Sequence, residues 1–173
     1  AFFAGKGLES PALLPMVRGR LVAVNGRPVV AADYEEERAQ RLVEREFNLS
    51  WMADLPEGNS LTAGRWFAAQ DAGTPQFSVE QGLADTLKLK QGDVLAYDIA
   101  GRRLEARITS LRKLDWDSMR VNFFVVTPPG VLEPFPTSYI TSFHLPPERA
   151  GFVGELVAAH PNLTVIDVAS ILR

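Results

Sequence analysis

The sequence predicts an α+β domain of two lobes: an outer lobe drawn from both ends of the chain (1–66 and 135–173) and a small β-rich lobe (67–134) inserted into it. Three observations predict it. Short runs in which apolar and polar residues alternate, bounded by Gly and Pro, have the period of strands. A few segments carry helix start signals and apolar spacings of three and four instead. Between 67 and 134 the texture changes, with hairpins crowding around one helix, whereas strand and helix alternate on either side.

Residues 1–9 read as the tail of a helix ending near Gly5 and Gly7, and Pro11 and Pro15 mark a loop. A strand follows at 17–24. Asn25-Gly26 between two apolar runs is a hairpin signal, because both central residues of a type I′ turn need positive φ, and Pro28 makes the returning strand an edge. Asp33 is placed to cap a helix running to about Arg45, with Glu37 and Arg41 four apart and few apolar residues, so a solvated surface helix is expected. Phe47, Leu49 and Trp51 alternate with polar residues as a half-buried strand, and 61–66 resumes extended structure after the turn-rich 54–59.

In the middle, Ser78 with Gln81 forms a capping-box pattern opening a helix over 79–89, which Gly92 separates from the next strand. Strands at 94–99 and 104–111 make a hairpin through Ala100-Gly101-Arg102. A third strand at 122–127 stops at Pro128-Pro129-Gly130. A strand at 137–145 leads to a helix begun by Pro146-Pro147-Glu148, with Phe152, Val153, Leu156 and Val157 as its apolar stripe and His160-Pro161 as its end. A last strand is expected at 163–168.

At 173 residues the chain can bury a core without disulfide or metal, and it has no Cys. Its 18 basic and 21 acidic residues leave a net charge of −3, which provides no positive field for nucleic acid or an anionic membrane surface. No run reaches the roughly 20 apolar residues of a spanning helix. The chain begins at Ala1-Phe2-Phe3 and stops in the apolar stretch before Arg173, so it reads as a piece of a larger protein.

The chemistry that would mark an enzyme is absent from the residues. There is no nucleophile elbow, phosphate-cradling glycine loop or paired-histidine zinc motif. His144 and His160 lie sixteen apart without neighbouring ligands and read as structural. Asp115-Trp116-Asp117 lacks the Gly and terminal Glu of a calcium loop and reads as a polar turn carrying an exposed indole. No cofactor or metal is implied. Asn48-Leu49-Ser50 and Asn162-Leu163-Thr164 match the glycosylation pattern but carry no weight at three residues in or beside strands. Trp51 and Phe124 read as core, and Trp116, Met119, Arg120 and Phe123 are the candidate contacts for a partner or a lipid.

Several segments are familiar: 18–26, 45–51, and above all Asp115-Trp116-Asp117-Ser118-Met119-Arg120-Val121-Asn122-Phe123-Phe124, continued at 128–133 and 137–146. Together they resemble the large extracytoplasmic domain of FtsX-like ABC transporter permeases, the MacB-like periplasmic core domain. The nearest likeness is to the permease associated with the periplasmic thioesterase I, or lysophospholipase L1. The resemblance implies an outer porter-like lobe with an inserted smaller lobe, held in the periplasm by a bacterial inner-membrane permease. It implies a strand and most of a helix before Ala1, whose absence opens a sheet edge. It also implies a cytoplasmic ATPase subunit, a second permease copy, a lipid or other hydrophobic substrate, and the soluble thioesterase as partners. ATP chemistry would belong to another chain. Two readings of the domain follow: docking a lipid-acting enzyme, or itself holding acyl chains.

Overall fold

The computed structural model describes residues 13–115, 121–141, 147–149 and 151–165, which belong to two compact units, Ala1–Ser142 and Phe143–Arg173. In the first, β1 (Leu14–Val24) sends Val17, Gly19, Leu21 and Ala23 inward and Arg18 and Arg20 outward, the alternation that its sequence carries. Asn25 and Gly26, at φ 51° and 80°, turn the chain into the two-residue β2 (Arg27–Pro28), which pairs with β1 alone. There follow α1 (Glu37–Glu44), β3 (Phe47–Trp51), β4 (Asn59–Gly64), β5 (Gln76–Glu80), α2 (Gln81–Leu87), β6 (Val94–Ile99), β7 (Arg102–Leu114), β8 (Val125–Thr127) and β9 (Ser138–Ile140).

Neighbouring strands run β1, β3, β8, β5, β7, β6 and back to β1, so six strands close a barrel. The pairs β3–β8 and β5–β7 are parallel and the other four antiparallel, while β2 and β9 add to β1 and β4 adds to β7. Closure removes the free edges that an open sheet of this size would present. The α+β class read from the sequence is observed. The barrel takes β1 and β3 from the range 1–66 and β5 to β8 from the range 67–134, joined where β1 pairs with β6 and β3 with β8.

Tyr97 is fully buried in the core, edge-on to Phe47 at 6.0 Å and Phe77 at 5.5 Å. Gly19 makes room for this packing: a Cβ there would stand 2.9 Å from Ile99 Cγ1 and 3.4 Å from Tyr97 Cδ1. Burial pushes the Tyr97 phenol well above its ordinary value, and its hydroxyl has no protein partner among the described residues. Leu42 and Val43 of α1 and Leu83 and Leu87 of α2 join the same core, and Tyr34 Oη donates to Leu87 O at 3.2 Å.

The structure differs from the sequence reading at several elements. Asp33 does not cap α1; its carboxylate accepts the Val30 N–H at 3.0 Å and closes a 3-10 turn, Ala31–Asp33, ahead of the helix. Far from being merely solvated, α1 buries Ala39, Leu42 and Val43, although Glu37 and Arg41 do meet on its exposed face at 3.8 Å. Ser78 is buried inside β5, and the cap of α2 is Glu80, whose carboxylate accepts the N–H groups of Gly82 and Leu83 at 2.8 and 2.7 Å. Among the described residues of the 122–127 and 137–145 regions, strand pairing is confined to β8 and β9, and 142–145 lie outside the described residues. In the second unit a 3-10 turn, Pro147–Arg149, precedes α3 (Phe152–Ala159), which buries Phe152 and Leu156. Residues 163–165 are not in a strand, and the rest of that expected strand, like the helix tail at 1–9, lies outside the described residues.

Candidate functional site

Alternation along β7 continues past its expected end at 111: Ala106, Ile108, Ser110, Arg112 and Leu114 are all buried. This places a guanidinium where the strand period calls for an apolar side chain, and Arg112 is only 1% exposed. The cation is satisfied by acceptors on every side. Its Nε donates to Ser78 Oγ at 2.8 Å, Nη1 to Asn59 Oδ1 at 2.7 Å, and Nη2 to the carbonyls of Phe123 and Phe124, both at 3.0 Å, and of Ser78 at 3.2 Å. Ser110 Oγ donates in turn to Ser78 Oγ at 2.7 Å. Desolvation lowers the Arg112 pKa to about 10, against the upward pull of Glu80, so the group stays charged at neutral pH.

Hydrogen bonds hold both ends of the 115–124 segment, and the Arg112 clamp supplies those at the return. On the way out, the Asp115 N–H donates to Gly58 O at 2.8 Å. On the return, Phe124 O accepts from Arg112 and also from the Glu80 N–H at 2.8 Å. Phe123 is 4% exposed and forms a second apolar cluster with Phe67 and Val126, flanked by Met16, Met52 and Trp66. Its ring therefore anchors the segment rather than facing a partner. Trp116, Met119 and Arg120, the other candidate contacts, lie outside the described residues, as do Asp117 and His144.

Residues 45–48, at the entry to β3, and 122–124, before β8, line one open cavity of about 230 Å³. The parallel pairing Leu49↔Val125, Ser50↔Val126 explains their meeting, since it sets the two approaches to the sheet side by side. Phe124 and Trp51, expected in the core, pack partly buried against it. A second and larger cavity, about 740 Å³, opens beside β7 with Arg65, Asp71, Gln76, Gln91 and Arg107 among its lining. His160 is exposed at the end of α3. Among the described residues, no three acidic or histidine side chains stand together as metal ligands, and no helix is long and apolar enough to cross a membrane.

Sequence reasoning missed Arg112, Ser78 and Asn59. The signal for Arg112 was present: extending the Ala106, Ile108, Ser110 alternation by one step puts an arginine on the inward face, which demands a set of buried acceptors. Nothing local announces that those acceptors come from β4, β5 and the return to β8.

No family model and no solved structure matches the chain. Over all 173 of its residues it is 33% identical to an Escherichia coli K12 protein described as an uncharacterized ABC transporter permease, YbbP. It spans 20% of the length of that protein. From end to end, then, the chain is homologous to one fifth of an ABC transporter permease.

Proposed function

We propose that this chain is the extracytoplasmic domain of an ABC transporter permease in a bacterial inner membrane, and that it docks a soluble, lipid-acting periplasmic enzyme through the 115–124 segment. The cytoplasmic ATPase subunit supplies ATP hydrolysis, and movement reaches this domain through membrane helices outside the chain. The work done is on lipids or other hydrophobic molecules, and a second permease copy completes the transporter. The two-lobed organisation of porter and insert belongs to this same proposal.

The observation that carries the reading is the double anchoring of 115–124 to the barrel. Asp115 is held by Gly58, and Phe123 and Phe124 by a buried arginine, and fixing the two flanks of a binding segment in advance lowers the ordering cost of binding. Trp116, Met119 and Arg120 are the contact residues of this proposal, and Phe123 is the buried ring at the return of the segment. Homology to a permease supports the setting, and the thioesterase named by the resemblance is the partner of matching chemistry. The alternative, an acyl-chain carrier, finds less support, because neither cavity described above is an enclosed apolar pocket.

The test is a pull-down of the periplasmic thioesterase from the same organism by the immobilised chain, with Trp116→Ala in parallel and with mass spectrometry of lipids that copurify. Capture by the wild type and loss in the variant is the expected result. No capture, with acyl chains retained by the purified chain, overturns docking in favour of carriage.

A further inference from the structure

The larger cavity lies at a break in the strand pairing. One edge of β7 pairs with β6 from Arg102 to Arg107 and with β4 from Ser110 to Leu114, so the two neighbours part at Ile108 and Thr109. A cleft of about 740 Å³ opens there, within the size range of small-ligand sites. Register shifts flank it in both partners, between Leu61 and Ala63 in β4 and between Phe77 and Ser78 in β5, and such irregularities re-aim side chains next to sites. Gly64, at φ +72°, closes the backbone down on β7: a Cβ there would lie 2.0 Å from Thr109 O.

The cleft is built of donors. Arg107 Nη1 donates to Gly92 O at 2.6 Å, which holds the guanidinium at the wall with the rest of its fork uncommitted among the described residues. Arg65 has no hydrogen bond among the described residues and acts on Asp71 through space. The Asp71 carboxylate is already engaged by the Ala68 N–H at 2.7 Å and by the Gln76 side chain, which hold it below the usual carboxylate range. Gln91 lines the cleft beside them, and Thr109 in its wall has a buried hydroxyl with no hydrogen-bond partner among the described residues. Trp66 offers an indole face whose Nε1 is already spent on Ala53 O at 2.8 Å. Two forked cations against one engaged carboxylate leave a local excess of positive charge on a chain of net charge −3.

We infer that this cleft binds a phosphate ester, its phosphoryl oxygens between the guanidinium groups of Arg65 and Arg107 and its organic part against Trp66. A phosphate ester brings up to two negative charges and up to three non-bridging oxygens to the two forks, where a lone carboxylate brings one charge and two oxygens. The site shares no residue with the docking segment and stands independently of the proposed function. Its ligand is a soluble phosphate ester or the headgroup of a phospholipid, which have this chemistry in common.

The test is NMR titration of the chain with inorganic phosphate and with glycerol 3-phosphate, observing the arginine Nε–H and tryptophan indole signals, beside flotation with phosphatidylglycerol and phosphatidylcholine vesicles. Saturable shifts at Arg65, Arg107 and Trp66 are expected. Arg65→Gln and Arg107→Gln should each weaken binding about tenfold, and Arg107→Lys should recover part of the loss. Flotation with the anionic vesicles alone, lost in the doubly substituted chain, identifies a headgroup; soluble binding without flotation identifies a free ester. Shifts of equal size at the exposed Arg18 and Arg20, or affinity indifferent to both Gln substitutions, would overturn the site.

Discussion

Replacing Arg112 with methionine keeps most of the buried volume but strips Ser78, Asn59, Phe123 and Phe124 of a shared donor. Phe124 O and Ser78 Oγ keep donors in Glu80 N–H and Ser110 Oγ, but losing the remaining bonds of this network at once should cost about 2 to 4 kcal/mol, read from urea denaturation, and a loss below about 1 kcal/mol would show that the clamp is not needed. Asp93 is a second buried charge with a definite pH signature. Desolvation pushes its carboxyl up, but the Asn25 amide at 3.1 Å, the Lys90 N–H at 2.9 Å and the Lys90 ammonium at 3.2 Å outweigh that and hold it below its ordinary 3.8. A lowered folded pKa means stability present above the unfolded value and lost as pH falls through the folded one. Asp93→Asn should therefore be less stable than wild type at pH 7, with the gap in thermal midpoint narrowing below about pH 4. At this scale the sequence was legible where one residue has one conformational use, as at Asn25-Gly26. It was not legible at Ser78, where a serine three residues before a glutamine spells a helix cap and the fold uses it as an arginine acceptor inside a strand.

Among the elements, β5 and β7 decide the architecture. β5 lies between β7 and β8 and is buried from Phe77 to Glu80, so it lacks the alternation that reveals half-exposed strands, and its last three residues were read as a cap and the start of a helix. The 94–99 and 102–114 hairpin was readable because Ala100 and Gly101, at φ 52° and 84°, supply a local turn. By contrast, the pairings that close the barrel join β1 to β6 and β3 to β8 across long stretches of chain, and no local pattern encodes them. The bend of β4 against β7 depends on Gly64, where positive φ and contact with Thr109 O exclude a side chain. Gly64→Ala should lower stability by about 2 kcal/mol or more and raise amide exchange along 59–64, whereas Gly26→Ala, with open space at its Cβ, should cost less in the same denaturation assay.

At the largest scale, the first unit is a closed six-strand barrel against which Arg112 and Glu80 hold the carbonyls of Phe123 and Phe124. The sequence made the setting legible through the resemblance carried by 115–124, and homology along the full chain to part of an ABC transporter permease agrees with it. Closure of the barrel was not legible, because the pairings that close it join strands far apart along the chain. The central claim is that 115–124 is a docking element on this body. Calorimetric titration of the chain with the periplasmic thioesterase, for wild type and for Trp116→Ala, tests it most directly. The account predicts saturable binding that falls at least about tenfold in the variant at unchanged thermal midpoint; equal binding by both chains, or none by either, would contradict it.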